Sequence, residues 1–251
     1  MCNIISLFSL GSPHALSGGR MSLGFMECVC ISVGGSILSR EDGINVAYAV
    51  GLKEILKKYD KKKFILVVGG GYASRLYINS SRKIIKNNSI LDEIGIAITR
   101  INALILKDLI SSLDVYPNVV STLDELRGAL NTNRIVVMGG LLPGISTDSV
   151  SIIACEISGS NVLINASKES YIYNKNPSEK DAKKFTTLSH EELISIASQF
   201  DTREAGSNFI FDLTASKLAK RGSITLRFVN DKITELELAI EGKTFNGTTV
   251  K

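Results

Sequence analysis

Four apolar, strand-like runs in this chain lead directly into turn-forming segments, and three of those segments are rich in glycine. The four runs and their turns read CVCISVGGS, FILVVGGGYASR, RIVVMGGLLPGISTD and NVLINASKESYIYNKNP. A β-branched run that ends in glycines and opens a helix directs backbone N–H groups at an anion, with no side chain in the way. Several such turns at one edge of a sheet indicate a site for more than one phosphate group. The pattern predicts an enzyme that handles phosphates.

Strand and helix signals alternate regularly from residue 26 onwards. The predicted strands span residues 27–33, 63–68, 134–138, 161–165 and 224–229 and the closing GTTV, and the predicted helices span residues 46–58, 73–86, 94–112, 148–158, 189–198 and 208–220. Because helices separate successive strands, we expect those strands to pair in parallel. The fold class predicted is α/β, an open and mostly parallel sheet sandwiched by helices. Ligands of such sheets bind at the carboxyl ends of the strands.

Residues 1–25 differ from the rest of the chain, because they contain no acidic residue and only one basic residue. The apolar run 4–10 is short and lacks the basic flank of a signal peptide, and no later stretch is long enough to span a membrane. We expect a disordered extension or a mis-assigned start there, rather than a targeting peptide. A single domain over residues 26–251 would follow, with a cytoplasmic location.

Charge, cysteine and histidine content exclude several classes of function. The formal net charge is +4, and the only dense basic patch, residues 61–63, lies between a helix and a strand, which favours a solvated loop over a nucleic-acid site. Cys28 and Cys30 alternate within a buried strand and lack metal-ligand spacing, so we expect packing thiols in a reducing compartment. With only His14 and His190 available, Ser-His-Asp hydrolysis and histidine-based metal chemistry are both disfavoured.

The first two glycine turns match no standard nucleotide motif. No GxxxxGK[ST] sequence is present, and no GxGxxG is followed by a ribose-binding acid. Residues 34–36 alone suit a tight strand-to-helix turn as well as a phosphate site. Residues 69–71 are more informative, because three successive glycines cost backbone entropy that a plain turn does not require. Arg75 follows one helical turn later, where it is either a bidentate phosphate clamp or a surface cation; we favour the clamp.

The third turn, residues 139–148, gives the strongest signal. Ser146, Thr147 and Asp148 are suited to begin a helix, so the simplest explanation is a capped helix after a loop. That explanation accounts for the cap but not for the length of GGLLPGISTD. Two glycines, a Pro-Gly and paired hydroxyls predict a polar concavity large enough for a ligand.

Taken together, these motifs resemble those of the archaeal-type UMP kinases (uridylate kinases) of the amino-acid-kinase family. The resemblance rests on SVGGS, GGGYASR, DEIGIAITRINA, VMGGLLPGISTD, AGS…FDLTASKLAKR and NGTTV, in the family's order and spacing, and it covers nearly all of the chain beyond residue 25. It implies a three-layer fold with an acceptor side at about 26–160 and an ATP side at about 161–251. It also implies transfer of the ATP γ-phosphate to UMP, with Mg²⁺ carried by the nucleotide, to give UDP for pyrimidine nucleotide synthesis. Members of this family are usually hexamers.

The resemblance also implies roles for individual residues. The positions expected to hold the ATP phosphates and adenosine are Gly35, Ser36, Gly71, Arg75, Ser167, Tyr173 and Asn176. Those expected to bind UMP are Gly70, Asp92, Leu141, Leu142, Pro143, Gly144, Ile145, Ser146 and Thr147. The groups expected to act in catalysis are Gly35, Ser36, Arg75, Asp148 and Lys217, with no side chains assigned to a resident metal. Asp92 has a second interpretation, as the N-cap of a helix that opens at Glu93.

Some positions depart from the family pattern. Ser32 stands where many UMP kinases have a lysine that bridges the nucleotides, so backbone N–H groups, Mg²⁺ and Arg75 would have to meet the developing charge, with Lys217 or Lys168 as helpers. The usual TNxDGVYxxDP reads SKESYIYNKNP, which replaces two aspartates and one glycine. These changes leave two alternatives open. One is a catalytically weak nucleotide-binding protein that senses or stores nucleotide, and the other is a kinase of the family with a different small acceptor.

Overall fold

A seven-stranded sheet forms the centre of the protein in a computed structural model, which describes residues 26–175, 180–200 and 211–251. Its strands, in chain order, are β1 (Cys28–Val33), β4 (Lys63–Val68), β5 (Ile135–Met138), β6 (Val162–Ala166), β9 (Thr187–Leu188), β10 (Thr225–Val229) and β11 (Gly247–Val250). Their order across the sheet is β5-β4-β1-β6-β10-β11-β9. Two short hairpins lie outside it, formed by β2 (Ser39–Arg40) with β3 (Gly43–Ile44) and by β7 (Ile172–Tyr173) with β8 (Lys184–Phe185).

The five strands from β5 to β10 all pair in parallel, as the alternation of elements predicts. Cys28 lies opposite Lys63 at the start of the β1–β4 pair and Val33 lies opposite Val68 at its end. The β1–β6, β4–β5 and β6–β10 pairs are also parallel, whereas β11 runs antiparallel to β10 and β9 pairs in parallel with β11. The carboxyl ends of β1, β4, β5 and β6 therefore share one edge of the sheet, which brings all four turn segments together.

Helices cover both faces of the sheet. Their bounds are α1 (Gly35–Leu38), α2 (Val46–Lys58), α3 (Gly71–Ser81), α4 (Asn88–Leu109), α5 (Leu123–Thr132), α6 (Thr147–Ser158), α7 (His190–Phe200), α8 (Leu213–Arg221) and α9 (Ile233–Ile240). The inward side chains of β1 and β4 alternate between two cores. One face packs against α2, α4 and α9, and the other packs against α5, α6, α7 and α8. This is the three-layer α/β arrangement that the sequence predicts.

Several predicted helix bounds are wrong. The helix predicted at 94–112 begins six residues earlier, at Asn88, after an N-cap at Asn87 whose side chain accepts the N–H of Ser89. The helix predicted at 73–86 is shorter, and α5 and α9 were not predicted at all. A signal for α5 exists in the sequence, because Thr122 caps the helix by accepting the N–H of Glu125 in a T-x-x-E pattern. The start of α7 agrees with the predicted SHEE cap.

Basic side chains donate hydrogen bonds to the C-terminal carbonyls of several helices in this fold. Lys53 Nζ donates to Leu109 O at the end of α4, and Lys63 Nζ donates to Leu130 O near the end of α5, each at 2.9 Å. A cation near a helix C-terminus is favoured because the last carbonyls there carry partial negative charge. Lys63 is buried, so the solvated loop predicted for residues 61–63 is wrong for its last member.

Arg134 makes the most extensive of these contacts. Its guanidinium donates to Leu56 O at 2.9 Å, Lys62 O at 3.0 Å and Tyr59 O at 3.2 Å, which closes the last turn of α2. The same group lies over the ring of Phe64, 5.9 Å from its centroid. Burial lowers the pKa of Arg134, so the three carbonyls stabilise a charge that has lost most of its water.

Some predictions concern segments outside the described residues. These are the extension at residues 1–25, Asn176 of the ATP side and the AGS segment at 205–207. Within the described ranges, Cys28, Cys30 and Cys155 are free thiols, and the last two are buried, as expected for packing cysteines. No helix in those ranges is long and apolar enough to cross a membrane.

Candidate active site

The first two glycine turns lie backbone against backbone. A Cβ atom on Gly35 would lie 2.0 Å from the backbone N of Gly71, and one on Gly69 would lie 2.6 Å from the backbone N of Gly35. Gly71 also has a φ of 63°, which side chains disfavour. The turns after β1 and β4 therefore need glycine in order to touch each other. This contact gives the three successive glycines a packing reason in addition to the phosphate site that the sequence predicts.

Helix α4 holds the second and third turns in place through the TRINA segment. Asn102 Nδ2 donates to Gly69 O at 2.9 Å and to Gly70 O at 3.1 Å. Thr99 Oγ1 accepts the N–H of Gly140 at 2.8 Å. Thr99 and Asn102 were not among the predicted site residues. The available signal was the presence of polar side chains on the buried face of an otherwise apolar helix.

The loop at 141–147 is anchored to the same helix. Asp92 Oδ2 accepts the N–H of Gly144 at 2.8 Å, and Gly144 has a φ of 77°. Asp92 lies inside α4, so the second interpretation, in which it caps a helix that opens at Glu93, is wrong. The structure brings Asp92 into contact with the loop predicted to bind UMP, and its half-buried carboxylate keeps a second oxygen for another donor.

The end of this loop meets the start of α8. Ser146 is the N-cap of α6, where its Oγ accepts the N–H of Ser149 at 3.0 Å. Ser146 Oγ also donates to Asp212 Oδ2. Asp212 in turn caps α8 by accepting the N–H of Ala215 at 2.9 Å. One carboxylate thus links the loop after β5 to the start of α8, and sequence reasoning did not single it out.

Asp148 occupies the centre of the site, between β1 and β6. Its Oδ1 accepts Ser32 Oγ at 3.0 Å and Asn165 Nδ2 at 2.8 Å. Burial, together with the negative charge of nearby Asp212, raises the pKa of Asp148 to about 7, against the two hydrogen bonds, which lower it. Asn165 Oδ1 is buried and has no hydrogen-bond partner within the described residues. The position that lacks the family's lysine therefore supplies a hydroxyl to this carboxylate.

Arg75 and Lys217 each lie one turn into a helix that borders the site. Arg75 is half-buried on α3, one turn after Gly71, and Lys217 is exposed on α8. Neither side chain has an ion pair or hydrogen bond with a described residue, so both are available to an anionic ligand. Ser36 lies in α1, directly after the first glycine turn.

Ser167 and Tyr173, two of the residues predicted to surround the adenosine of ATP, lie after β6. Ser167 follows the strand directly; its backbone N–H donates to Val229 O at 3.0 Å and its Oγ donates to Glu169 O at 2.6 Å. Tyr173 pairs with Lys184 in the β7–β8 hairpin. Lys184 Nζ also lies 4.4 Å from the ring centroid of Tyr171, the residue that replaces the family's glycine. No cluster of three or more His, Cys, Asp or Glu side chains in the described ranges could hold a metal ion.

Comparison with known proteins agrees with this architecture. The model of the amino acid kinase family matches residues 27–230. The uridylate kinase of Thermoplasma volcanium is 36% identical over 218 residues, which cover 86% of this chain and 94% of that protein. The uridylate kinase of Methanocaldococcus jannaschii is 32% identical, with 89% of this chain and 99% of that protein covered.

Solved structures give the same result. The crystal structure of uridylate kinase from Archaeoglobus fulgidus superposes with a TM-score of 0.77 at 30% identity, covering 89% of this chain and 99% of that one. The UMP kinase of Ureaplasma parvum, at 19% identity, shares the fold with a TM-score of 0.72, and the alignment covers 90% of this chain and 99% of that one. From the family match, the archaeal relatives and the shared fold, we conclude that this chain belongs to the amino acid kinase family, on its uridylate kinase branch.

Proposed function

We propose that this protein transfers the γ-phosphoryl group of ATP to UMP, which yields UDP and ADP for pyrimidine nucleotide synthesis. The observation that carries the proposal is the convergence of three turns at one sheet edge. The turns after β1 and β4 touch through Gly35 and Gly71, and Asp92 fastens the loop that follows β5 to α4. Two phosphate chains that meet head to head need such an arrangement, because phosphoryl transfer depends on alignment more than on covalent chemistry.

The two substrates are assigned to the two halves of the chain. Residues 26–160 would form the acceptor side, where UMP contacts Gly70, Asp92 and the loop 141–147. Residues 161–251 would form most of the ATP side, where Ser167, Tyr173 and Asn176 surround the adenosine. Gly35, Ser36, Gly71 and Arg75 would hold the ATP phosphates between these halves. Support comes from the position of the first three turns and of β6 along the same edge of the sheet.

Magnesium would enter the site as part of the donor nucleotide. Mg²⁺ prefers carboxylate and carbonyl oxygens, and the site offers Asp148, Asp212 and Asn165 Oδ1, an atom that no described residue hydrogen-bonds. The mutual repulsion of the two carboxylates also fits a cation, because a positive charge beside them would favour ionised Asp148. When bound, the ion would offset charge on the transferring phosphoryl group. Arg75 and the turn N–H groups would supply the remaining stabilisation in place of the lysine absent at Ser32.

An assay with the purified full-length chain tests this function. ADP production is followed in the presence of MgATP with UMP, CMP or AMP as acceptor, and UDP is identified by chromatography. We expect ADP formation that depends on UMP. If both nucleotides bind but no UDP forms, the chain binds nucleotides without acting as the proposed kinase. Preference for a different small acceptor would show as ADP formation with that compound and not with UMP.

We also propose that the protein is a cytoplasmic homo-oligomer, and we expect a hexamer.

 The outer faces of α3 and α4 support the proposed homo-oligomer. Five large apolar side chains there are exposed to solvent: Leu76, Tyr77, Ile101, Leu104 and Ile105. An exposed apolar patch on a soluble chain marks an interaction surface. Light scattering on the wild type and on Leu104→Glu tests it. A single monomeric mass for both proteins would contradict the proposal.

A further inference from the structure

Asn102 is a buried amide on a helix face whose other buried side chains, apart from Thr99, are apolar. It is 3% exposed, and its neighbours on that face include Ala103 and Leu106, both fully buried. A buried amide costs free energy unless its polar atoms are hydrogen-bonded. Here Nδ2 donates to the carbonyl oxygens of Gly69 and Gly70, at 2.9 and 3.1 Å.

These two contacts fix the orientation of two successive peptide groups. The peptide bonds are all trans in the described residues, so the C=O of one residue and the N–H of the next point in opposite directions. When the carbonyls of Gly69 and Gly70 point towards Asn102, the N–H groups of Gly70 and Gly71 must point away from α4. Neither N–H donates to an acceptor within the described residues.

The contact with Gly70 O is not needed to satisfy that carbonyl. Gly70 O already accepts the N–H of Ser74, at 3.3 Å, in the first turn of α3. The second donor therefore restrains the rotation of the peptide group rather than filling an empty acceptor. This restraint is useful where glycine, with no side chain, leaves the backbone unusually free to rotate.

We propose that Asn102 is a positioning residue that aims the N–H of Gly70 at the acceptor phosphate and the N–H of Gly71 at the donor phosphates. The inference rests on the proposed function, which assigns those two glycines to the two substrates. One side chain would then set the alignment of both nucleotides. Fixed donors aimed at developing charge stabilise a transition state because they need no reorganisation during the reaction.

Two substitutions and one control test the role. Asn102→Leu removes both donors at similar volume, and Asn102→Ser keeps a single short donor in case the leucine variant does not fold. Ala103→Gly, at the adjacent buried position, weakens α4 without touching the glycine turns and so controls for lost stability. Circular dichroism and melting temperature establish that each variant is folded. Steady-state kinetics with UMP and MgATP then separate kcat from KM.

We expect Asn102→Leu to lower kcat by about a hundredfold or more, as the loss of one fixed donor does at other enzyme sites. The kcat of Asn102→Ser should lie between those of Asn102→Leu and the wild type. Both variants should bind UMP and a non-hydrolysable ATP analogue more weakly than the wild type does. Ala103→Gly should keep near-normal kcat below its melting temperature. The inference is overturned if a folded Asn102 variant keeps kcat and both affinities within about threefold of the wild type. It is also overturned if Ala103→Gly loses kcat to the same extent.

Amide NMR separates this inference from the proposed function. In ¹⁵N-labelled wild type, the Gly70 resonance should shift with UMP and the Gly71 resonance with the ATP analogue, and both responses should be lost in the folded Asn102 variant. A wild type that shows these shifts but makes no UDP would refute the proposed function and support the positioning role. Absence of the shifts in the wild type would refute the positioning role.

Discussion

Asp92 on α4 accepts the backbone N–H of Gly144 at 2.8 Å, so one carboxylate joins the longest helix described to the tip of the loop after β5. The contact uses Oδ2 alone. We expect the other oxygen to accept a ribose hydroxyl of UMP while the loop stays anchored, so that one side chain would serve both the nucleotide and the loop.

Substitution of Asp92 should weaken UMP binding selectively. Asp92→Ala removes a charge-assisted contact worth roughly 1.5–3 kcal/mol, so the affinity for UMP should fall by about ten- to a hundredfold. The affinity for a non-hydrolysable ATP analogue should change little. Titration calorimetry with each nucleotide measures both, and Glu93→Ala, at the exposed adjacent position, is the matched control. Unchanged UMP affinity together with a lowered melting temperature would rule out a role in binding.

Arg75 should matter for turnover far more than for stability. It lies one turn after Gly71 and has no partner among the described residues, so Arg75→Ala should lower phosphoryl transfer by about two orders of magnitude or more. Arg75→Lys should recover part of the rate, because lysine keeps the charge but not the bidentate geometry. Coupled kinetics provide the measurement. Arg127→Ala, on the exposed face of α5, should leave the rate unchanged, and near-normal turnover in Arg75→Ala would remove that residue from the site.

The raised pKa of Asp148 predicts a pH-dependent loss of stability. Between the unfolded value of 3.8 and the folded value of about 7, the folded protein holds a proton that the unfolded chain has released, so stability falls as pH rises through this window. The full effect is at most about 4 kcal/mol, at 1.36 kcal/mol for each pH unit. Asp148→Asn should remove this part of the profile and unfold at a higher temperature than the wild type at pH 8.

Thermal melts from pH 4 to 8 without nucleotide measure the difference between the two proteins. Asp124→Asn provides the control, because the Asp124 side chain is exposed and pairs with Arg127 on the surface of α5, and this variant should follow the wild type throughout. A difference between Asp148→Asn and the wild type that stays constant across this pH range would show that Asp148 does not titrate there.

Loss of the Arg134 guanidinium should destabilise the fold without changing the active site. Arg134→Met would leave buried carbonyls at the end of α2 without donors, at a cost of roughly 2–4 kcal/mol. Arg134→Lys should retain more of the free energy of unfolding than Arg134→Met but less than the wild type, since an ammonium is a single point charge. Denaturant titration measures the free energy of unfolding, with Arg127→Met as the exposed control. A loss below about 0.5 kcal/mol would contradict the structural role.

The sequence predicts the sheet better than the helices. Continuous β-branched runs mark β1, β4 and β5, and their predicted bounds agree with the structure within one residue. Helix α9 escapes prediction because it has only eight residues and its N-cap, Lys232, makes no side-chain capping bond. The start of α4 is missed for a different reason. Its first two residues, Asn88 and Ser89, are polar and exposed, and Asp92 and Glu93 interrupt the apolar pattern before Ile94, where the predicted helix begins.

Only part of the candidate site could be predicted from the sequence. Residues next to a glycine turn, such as Ser36 and Arg75, can be read from local motifs. The contacts of Asn102 with Gly69 and of Asp148 with Ser32 join positions 33 and 116 residues apart. They arise where α4 and α6 cross the sheet edge, and no local pattern encodes that crossing.

The basic side chains that donate to helix C-termini also determine how many cations are accessible at the protein surface. Lys63 and Arg134 lie inside the fold, and they account for two positive charges in a formal excess of only four. The helix ends that they contact each carry a partial negative charge of about half a unit. The net charge is unchanged, because the opposite end of each helix carries a matching positive charge, but these two cations face carbonyl oxygens inside the fold instead of solvent. A polyanion would therefore find two fewer basic side chains to pair with than the 29 in the sequence.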